Sequence, residues 1–457
     1  MSPGNFLSST TLLPSGPCSS LTALMLIFWL RRRYFLAVGC VAFSGLVVWP
    51  FAAVLGLPLA TYMVITGKFR CLVKSALVWL LLITFPLVAV DSFYFGRFVL
   101  APINILRYNL FPYDKQQTGS ASQLYGVEPI SFYLKNYILN QNIMCILALL
   151  SLIHAVIKLV LLPFRIKKSV EKHFNETETS LSKICIIVCT CLAIWNSIFF
   201  LQAHKEERFL FPCYPLIAIA STIVISEIIE ALTSKTKLAG IKSSVTCFII
   251  ITFCSVVFLT SVSRIFTLVR WHSSPMYLVK HLPAPLGQSH KPLLCMGRDW
   301  HFFPSRFFLP GGGEKWEVGF VQSNFSGQLP GQFAKPVSSG MVSSSTRKDG
   351  NHFNSGNVEE IDRYVINASD KCSFMLDRDS PTAFRETLYV SEQETWLSFA
   401  NRTLLESTSC SFNETFLSLD VIYCRLLRTF YIPVLSQKMD LTTALHILVR
   451  RNHGLFA

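Results

Sequence analysis

Five stretches of this chain, 76–95, 136–162, 184–202, 209–229 and 244–262, each hold about 20 mostly apolar residues. A helix rising ~1.5 Å per residue needs about that many to cross a ~30 Å hydrocarbon layer. A sixth apolar region, 34–65, is too long for one simple span and is interrupted at Trp49-Pro50 and Leu57-Pro58. It predicts a hairpin of two short or broken helices turning near Trp49-Pro50, a form tolerated where protein or a cavity satisfies the freed backbone. Only 15% of the 457 residues are charged and mean hydropathy is +0.44, against about 25% charged in soluble domains. These features predict a polytopic α-helical membrane protein.

The formal charge of +14 does not point to nucleic acid, because the cations come in short clusters between apolar runs: RRR at 31–33, KFR at 68–70 with Lys74, RIKK at 165–168, and Lys235, Lys237 and Lys242. Such clusters mark cytosolic loops, whereas a phosphate-backbone binder gathers its cations on one soluble face. The run LTALMLIFWL before Arg31 resembles a secretory signal only loosely, because the basic leader that should precede it is missing. Residues 1–33 read as a partial span with a cytosolic basic stop, and 34–263 as the multi-span domain. If Arg31–Arg33 are cytosolic, every basic cluster falls on that side. The corner HKEERF, His204 to Phe209, then falls on the other.

Residues 264–457 hold no membrane-length run and are expected on that same far side, as a luminal α/β domain. VINASDKCSFMLD and RLLRTFYIPVLS read as strand-rich, ETWLSFANRTLL as a helix, and 338–357 as a Ser/Gly-rich loop. Four of the five N-x-S/T acceptors, Asn324, Asn367, Asn401 and Asn413, lie in this tail, and only Asn175 lies on the cytosolic side. The tail's four cysteines, Cys295, Cys372, Cys410 and Cys424, allow up to two disulfides in three pairings.

His204, Lys205, Glu206, Glu207 and Arg208 form the most informative cluster. Charge runs are usually solvated faces, and snorkelling at a wet helix corner is the plain reading. Against it, cations are under-used on the far side, the two carboxylates can hold the group in one shape, and a proline-broken aromatic segment, FLFPCYP, follows directly. Fixed positive charge there suits an anionic lipid phosphate as leaving group. Asp91, at the luminal end of its span, opposes the helix dipole and is as much an interfacial anchor as a site residue. Tyr125 and Glu128, in LYGVEP, fit sugar stacking and an interfacial belt equally. Cys185, Cys189 and Cys191 read as packing residues, and Gly311–Gly313 as a turn without the context of a phosphate loop.

DSFYFG, LYGVEP, HKEERFLFPCYPL, GRDWHFFPSRFFLP and RTFYIP, with SNFSGQLP, DKCSFMLD and ETWLSFA, together resemble one family. It is the endoplasmic-reticulum, dolichyl-phosphate-mannose-dependent α-1,2-mannosyltransferases of lipid-linked oligosaccharide assembly, with the C-type glycosyltransferase fold. The resemblance runs from about residue 34 to about 435. HKEERF is shared with the α-1,6 enzyme of the same pathway and with GPI-anchor mannosyltransferases, so these remain alternatives. A transporter is a more distant one.

The resemblance implies transfer of mannose from dolichyl-phosphate mannose to a dolichol-linked oligosaccharide in the lumen, with inversion. It implies no nucleotide, no cofactor and no metal. Its phosphate would meet His204, Lys205 and Arg208. The family carries its presumed base, an aspartate, in a first luminal loop, yet no acidic residue precedes Asp91 here. The catalytic residue is therefore unassigned. The expectation is an N-terminally truncated, incomplete fold, inactive unless Asp91, Glu206 or Glu207 substitutes. ASQLYGVEPISF also replaces the family's GPDLYGTEPWYF.

Overall fold

The computed structural model describes residues 2–111, 124–168, 176–234, 238–285, 291–303, 305–330, 354, 356–380, 386–405, 426, 429–430 and 442–451. The chain divides into two compact units at Ser261 and Val262. Asn175, Asn413, Cys410, Cys424, Lys235, Lys237 and nearly all of RLLRTFYIPVLS and 338–357 lie outside the described residues.

The first unit is helical. Helix α1 (Pro3–Thr10) and helix α2 (Ser15–Leu30) meet at 111°. Ser2 caps α1 by accepting from Asn5 N at 3.2 Å and donates to Gln141 Oε1 at 3.1 Å. Cys18, Met25 and Trp29 of α2 belong to the main core, so the first 30 residues are an integral layer of the unit.

The 34–65 region breaks where the prolines require. Helix α3 (Tyr34–Phe43) passes through a π-helical turn, Ser44–Val48, to Trp49, which is extended at φ −152° and ψ 112°. Pro50 enforces this, since its ring disfavours helical backbone at the preceding residue. A 3₁₀ turn, Pro50–Gly56, then leads into helix α4 (Leu57–Ile65).

Helix α5 (Phe69–Phe95) ends on Gly96 at φ +63°, a left-handed position that glycine takes without strain. Helix α6 (Ala101–Leu110) follows. The expected single span 136–162 is corrected by the structure. Residues 130–141 form a separate helix, α7 (Ile130–Gln141), lying at 115° to helix α8 (Ile143–Lys168). The break falls at Asn142, whose φ of +50° cannot continue a right-handed helix. Helix α9 (Glu176–Leu201), a 3₁₀ turn Glu207–Cys213, helix α10 (Tyr214–Thr233) and helix α11 (Ala239–His272) follow. Among the described residues, four helical segments are long and apolar enough to cross a membrane, or up to six if each bent pair is one span.

The second unit contains helix α12 (Ser274–Lys280) and a five-stranded mixed sheet. Its strands are β1 (Leu293–Met296), β2 (Glu317–Phe320), β3 (Phe374–Asp379), β4 (Trp396–Leu405) and β5 (Thr442–Arg450), in the order β2-β1-β3-β5-β4. β1 is parallel to both β2 and β3, while β5 is antiparallel to β3 and β4. Cys295 of β1 and Cys372, just before β3, are joined by a disulfide.

ETWLSFANRTLL, expected as a helix, is the edge strand β4. Trp396, Ala400 and Leu404 have helical spacing, but a bulge between Ser398 and Ala400 shifts the register against β5. The extra residue reverses which side chains face which side of the sheet. Trp396 therefore packs in one core cluster, and Ala400 and Leu404 in another.

Candidate functional site

The corner between α9 and α10 is built from the backbone outward. α9 ends at Leu201, and residues 202–206 run without regular structure into the 3₁₀ turn. Trp195 of α9, fully buried, donates from Nε1 to Phe209 O at 2.8 Å and pins the start of that turn. The segment 124–129 lies along the corner: Glu128 N donates to Ala203 O at 3.1 Å, and a ring nitrogen of His204 meets Gly126 O at 3.0 Å.

The five ionisable side chains separate into two sets. Lys205 turns inward; only 6% exposed, its ammonium donates to Glu128 O at 2.9 Å and Gln202 O at 2.5 Å. Glu207 accepts from Asn140 Nδ2 of α7 at 2.7 Å. His204 and Arg208 stay together through Glu206, whose Oε1 lies 2.9 Å from His204 Nε2 and 2.5 Å from Arg208 Nη2.

His204 and Arg208 open into a cavity of about 260 Å³. Trp49, Phe51, Phe199 and Phe209 form its aromatic wall, and Tyr125, Gln202 and Asn109 add polar groups. The Trp49 ring centroid lies 5.5 Å from those of Trp195, Phe199 and Phe209. Tyr125 shares a 2.7 Å hydrogen bond with Tyr108 through the two hydroxyls. Pro14 and Ser15, at the N-terminus of α2, complete the wall, and Ser15 Oγ is buried without a hydrogen-bond partner among the described residues. The start of α2 brings the positive end of a helix dipole to this wall, although Gly16 N already donates to Leu13 O at 2.9 Å and Pro17 has no N–H to offer.

The electrostatics agree with this geometry. The hydrogen bond to Glu206 raises His204 above the ordinary imidazole value, against burial, which lowers it. Burial acts to raise Glu206, but hydrogen bonds from His204 and Arg208 outweigh it and hold the carboxyl below its usual range. Glu206 thus favours the charged form of His204 beside the Arg208 guanidinium at the cavity mouth.

Of the remaining sequence candidates, Tyr125 lines the cavity and Glu128 contributes its backbone while its side chain is exposed. Asp91 is not among the lining residues; it sits near the end of α5 with Oδ2 buried and without a hydrogen-bond partner among the described residues. Asn324, Asn367 and Asn401 are all exposed in the second unit. Among the described residues, no group of three or more His, Cys, Asp or Glu could hold a metal ion. The sequence reading missed Trp49, Phe51, Pro14 and Ser15. The proline break at Trp49-Pro50 was the available signal for the first two. Nothing in the sequence tied Ser15 to a corner nearly 190 residues away.

Comparison with known proteins places these residues in a wider set. The model of the Alg9-like mannosyltransferase family matches residues 1–310. The chain is 34% identical to the Alpha-1,2-mannosyltransferase algn-9 of Caenorhabditis elegans, over 99% of this chain and 71% of that protein. It is 33% and 32% identical to the Alpha-1,2-mannosyltransferase ALG9 of Mus musculus and of Homo sapiens, in each case over 96% of this chain and 67% of the relative. No solved structure matches it. The likeness, expected to begin near residue 34, in fact begins at residue 1, in agreement with the packing of α1 and α2 into the core.

Proposed function

The chain belongs to the Alg9-like mannosyltransferase family, and on that premise we propose that it transfers mannose in α-1,2 linkage from dolichyl-phosphate mannose to a dolichol-linked oligosaccharide. The observation that carries this reading is the convergence of His204, Arg208 and the start of α2 on one aromatic-walled cavity at the end of a membrane-length helix. The acceptor hydroxyl oxygen attacks the anomeric carbon as the bond to the donor phosphate oxygen breaks. The hydroxyl proton is released, and dolichyl phosphate departs carrying the electron pair. Negative charge therefore grows on the phosphate in the transition state, where preorganised cations are most effective. Trp49, Phe199 and Phe209 offer flat apolar faces to the sugar's C–H surface. Lys205 and Glu207 hold the corner in shape, and Glu206 favours the protonated form of His204 beside Arg208. The reaction so described needs neither a metal ion nor a nucleotide.

We place the reaction on the luminal side of the endoplasmic-reticulum membrane. Two features of the second unit support that orientation: its disulfide, a bond of oxidising compartments, and its three exposed N-x-S/T asparagines. Cells lacking the protein should accumulate a lipid-linked oligosaccharide one α-1,2-linked mannose short, and the restored gene should clear it. Arrest at an α-1,6 addition, or a block in GPI-anchor mannosylation with normal lipid-linked oligosaccharide, would refute the assignment.

A further inference from the structure

Helix α11 continues into the second unit, and its final turns there have two faces. Thr267 and Trp271, one turn apart, are buried, whereas Val262, Phe266 and Val269 are exposed on the opposite side. They extend a stripe of exposed apolar side chains that starts at Phe248 and passes Ile251, Phe258 and Leu259. At ~1.5 Å per residue the stripe runs roughly 32 Å from Phe248 to Val269, about the thickness of a hydrocarbon layer. With α11 as a membrane span, lipid on this face reaches Val269, and Arg270 and His272 stand at the headgroup level. Helix α12 begins just beyond them, at Ser274.

One side of α12 enters the core of the second unit through Leu278 and Val279, and Ser274 Oγ fastens it by donating to Thr403 O of β4. The other side presents Tyr277, Lys280 and His281, all exposed. The His281 ring lies 4.3 Å from that of Tyr277, and the Arg402 guanidinium sits 3.9 Å from the Tyr277 ring centroid. The turn Arg306–Phe308 packs against the same helix; it belongs to GRDWHFFPSRFFLP, a motif that the membrane cavity leaves unused. Its Phe307 side chain is 83% exposed, and Phe308 beside it is exposed as well. The turn is braced from behind. Ser305 Oγ accepts from Phe307 N at 3.2 Å, Arg306 Nη2 donates to Trp316 O at 2.5 Å, and Trp316 Nε1 donates to Pro310 O at 2.9 Å.

A braced turn that holds two phenylalanines in the open, beside a tyrosine flanked by cations, has the chemistry of a membrane interface. Rings enter just below the headgroups, and cations meet the lipid phosphates. Exposed rings alone would suit a partner protein equally, but α12 starts where the lipid-facing stripe of α11 ends, which favours the bilayer itself. From this continuity of α11 with the aromatic, cationic side of α12, we infer that the second unit seats on the bilayer surface. Phe307, Phe308 and Tyr277 enter the interface, and Lys280 and Arg402 face the lipid phosphates. Seating of this kind is independent of the proposed reaction.

The test is photocrosslinking of the full chain in nanodiscs of phosphatidylcholine and phosphatidylinositol with tritiated acyl chains. One variant is Phe307→p-benzoylphenylalanine; the reference is Asp362→p-benzoylphenylalanine, on the turn Ile361–Arg363. Both positions are exposed, so neither variant threatens the fold. Irradiation should attach lipid at position 307 about tenfold or more above position 362, the preference that burial of one phenylalanine side chain confers. Lipid attachment at 307 no greater than at 362 overturns the seat, as does a probe at 307 that crosslinks to protein in place of lipid. Mannosyl transfer measured on the wild-type chain in the same nanodiscs keeps the two readings apart: lipid attached at 307 with no transfer would count against the proposed function and leave the seat standing.

Discussion

Lys205 shows how far residue type alone can be trusted. In the sequence it is one of three cations suited to a phosphate; in the fold its ammonium satisfies two backbone carbonyls of different segments, Glu128 O and Gln202 O. It thereby fastens the 124–129 segment, which carries Tyr125, to the corner that carries His204. Lys205→Met leaves two carbonyls without their donor, at a cost of about 2–3 kcal/mol. Thermal unfolding of the purified chain should show that loss, and an unchanged midpoint would contradict the fastening role. His204 is the residue that titrates. Its pKa is raised by Glu206, so the stability it adds is complete below the unfolded value of about 6.5 and is lost as pH rises through the folded value. Its charge, and with it mannosyl transfer, should fail along the same rising limb. Glu206→Gln should move that limb to lower pH; a limb that stays in place would show that His204 does not supply the charge.

At the scale of elements, periodicity and proline placement were legible, and backbone reversals without proline were not. Trp49-Pro50 announced its own break. The α7–α8 break depends instead on Asn142, one of several polar residues in NYILNQN, and only its positive φ singles it out. Asn142→Val forces a β-branched residue into that conformation and should cost about 1–3 kcal/mol. Asn142→Gly should lose only the hydrogen bond to Ser261 Oγ, about 1 kcal/mol. Equal losses in denaturation of the two variants would show that the conformation carries no strain. β4 was misread because its bulge turns a two-residue alternation into a helical spacing, and sequence patterns alone do not separate the two.

For the molecule as a whole, hydropathy and charge spacing carried the class of protein, because lipid leaves the backbone few alternatives to helices. They did not reveal that residues 1–30 help to wall the site, since the apolar run of α2 looks the same whether it faces lipid or a cavity. The proposed function requires the corner at 204–208 to hold a lipid phosphate while mannose leaves it. Incubation of the purified chain with dolichyl-phosphate [³H]mannose and lipid-linked acceptor puts that requirement to the test. The wild type should attach one mannose that an α-1,2-mannosidase removes, and Arg208→Ala should slow the transfer about 10²- to 10³-fold without loss of folded protein. A folded Arg208→Ala variant that transfers at the wild-type rate, or a chain that takes mannose from a nucleotide sugar instead, would contradict it.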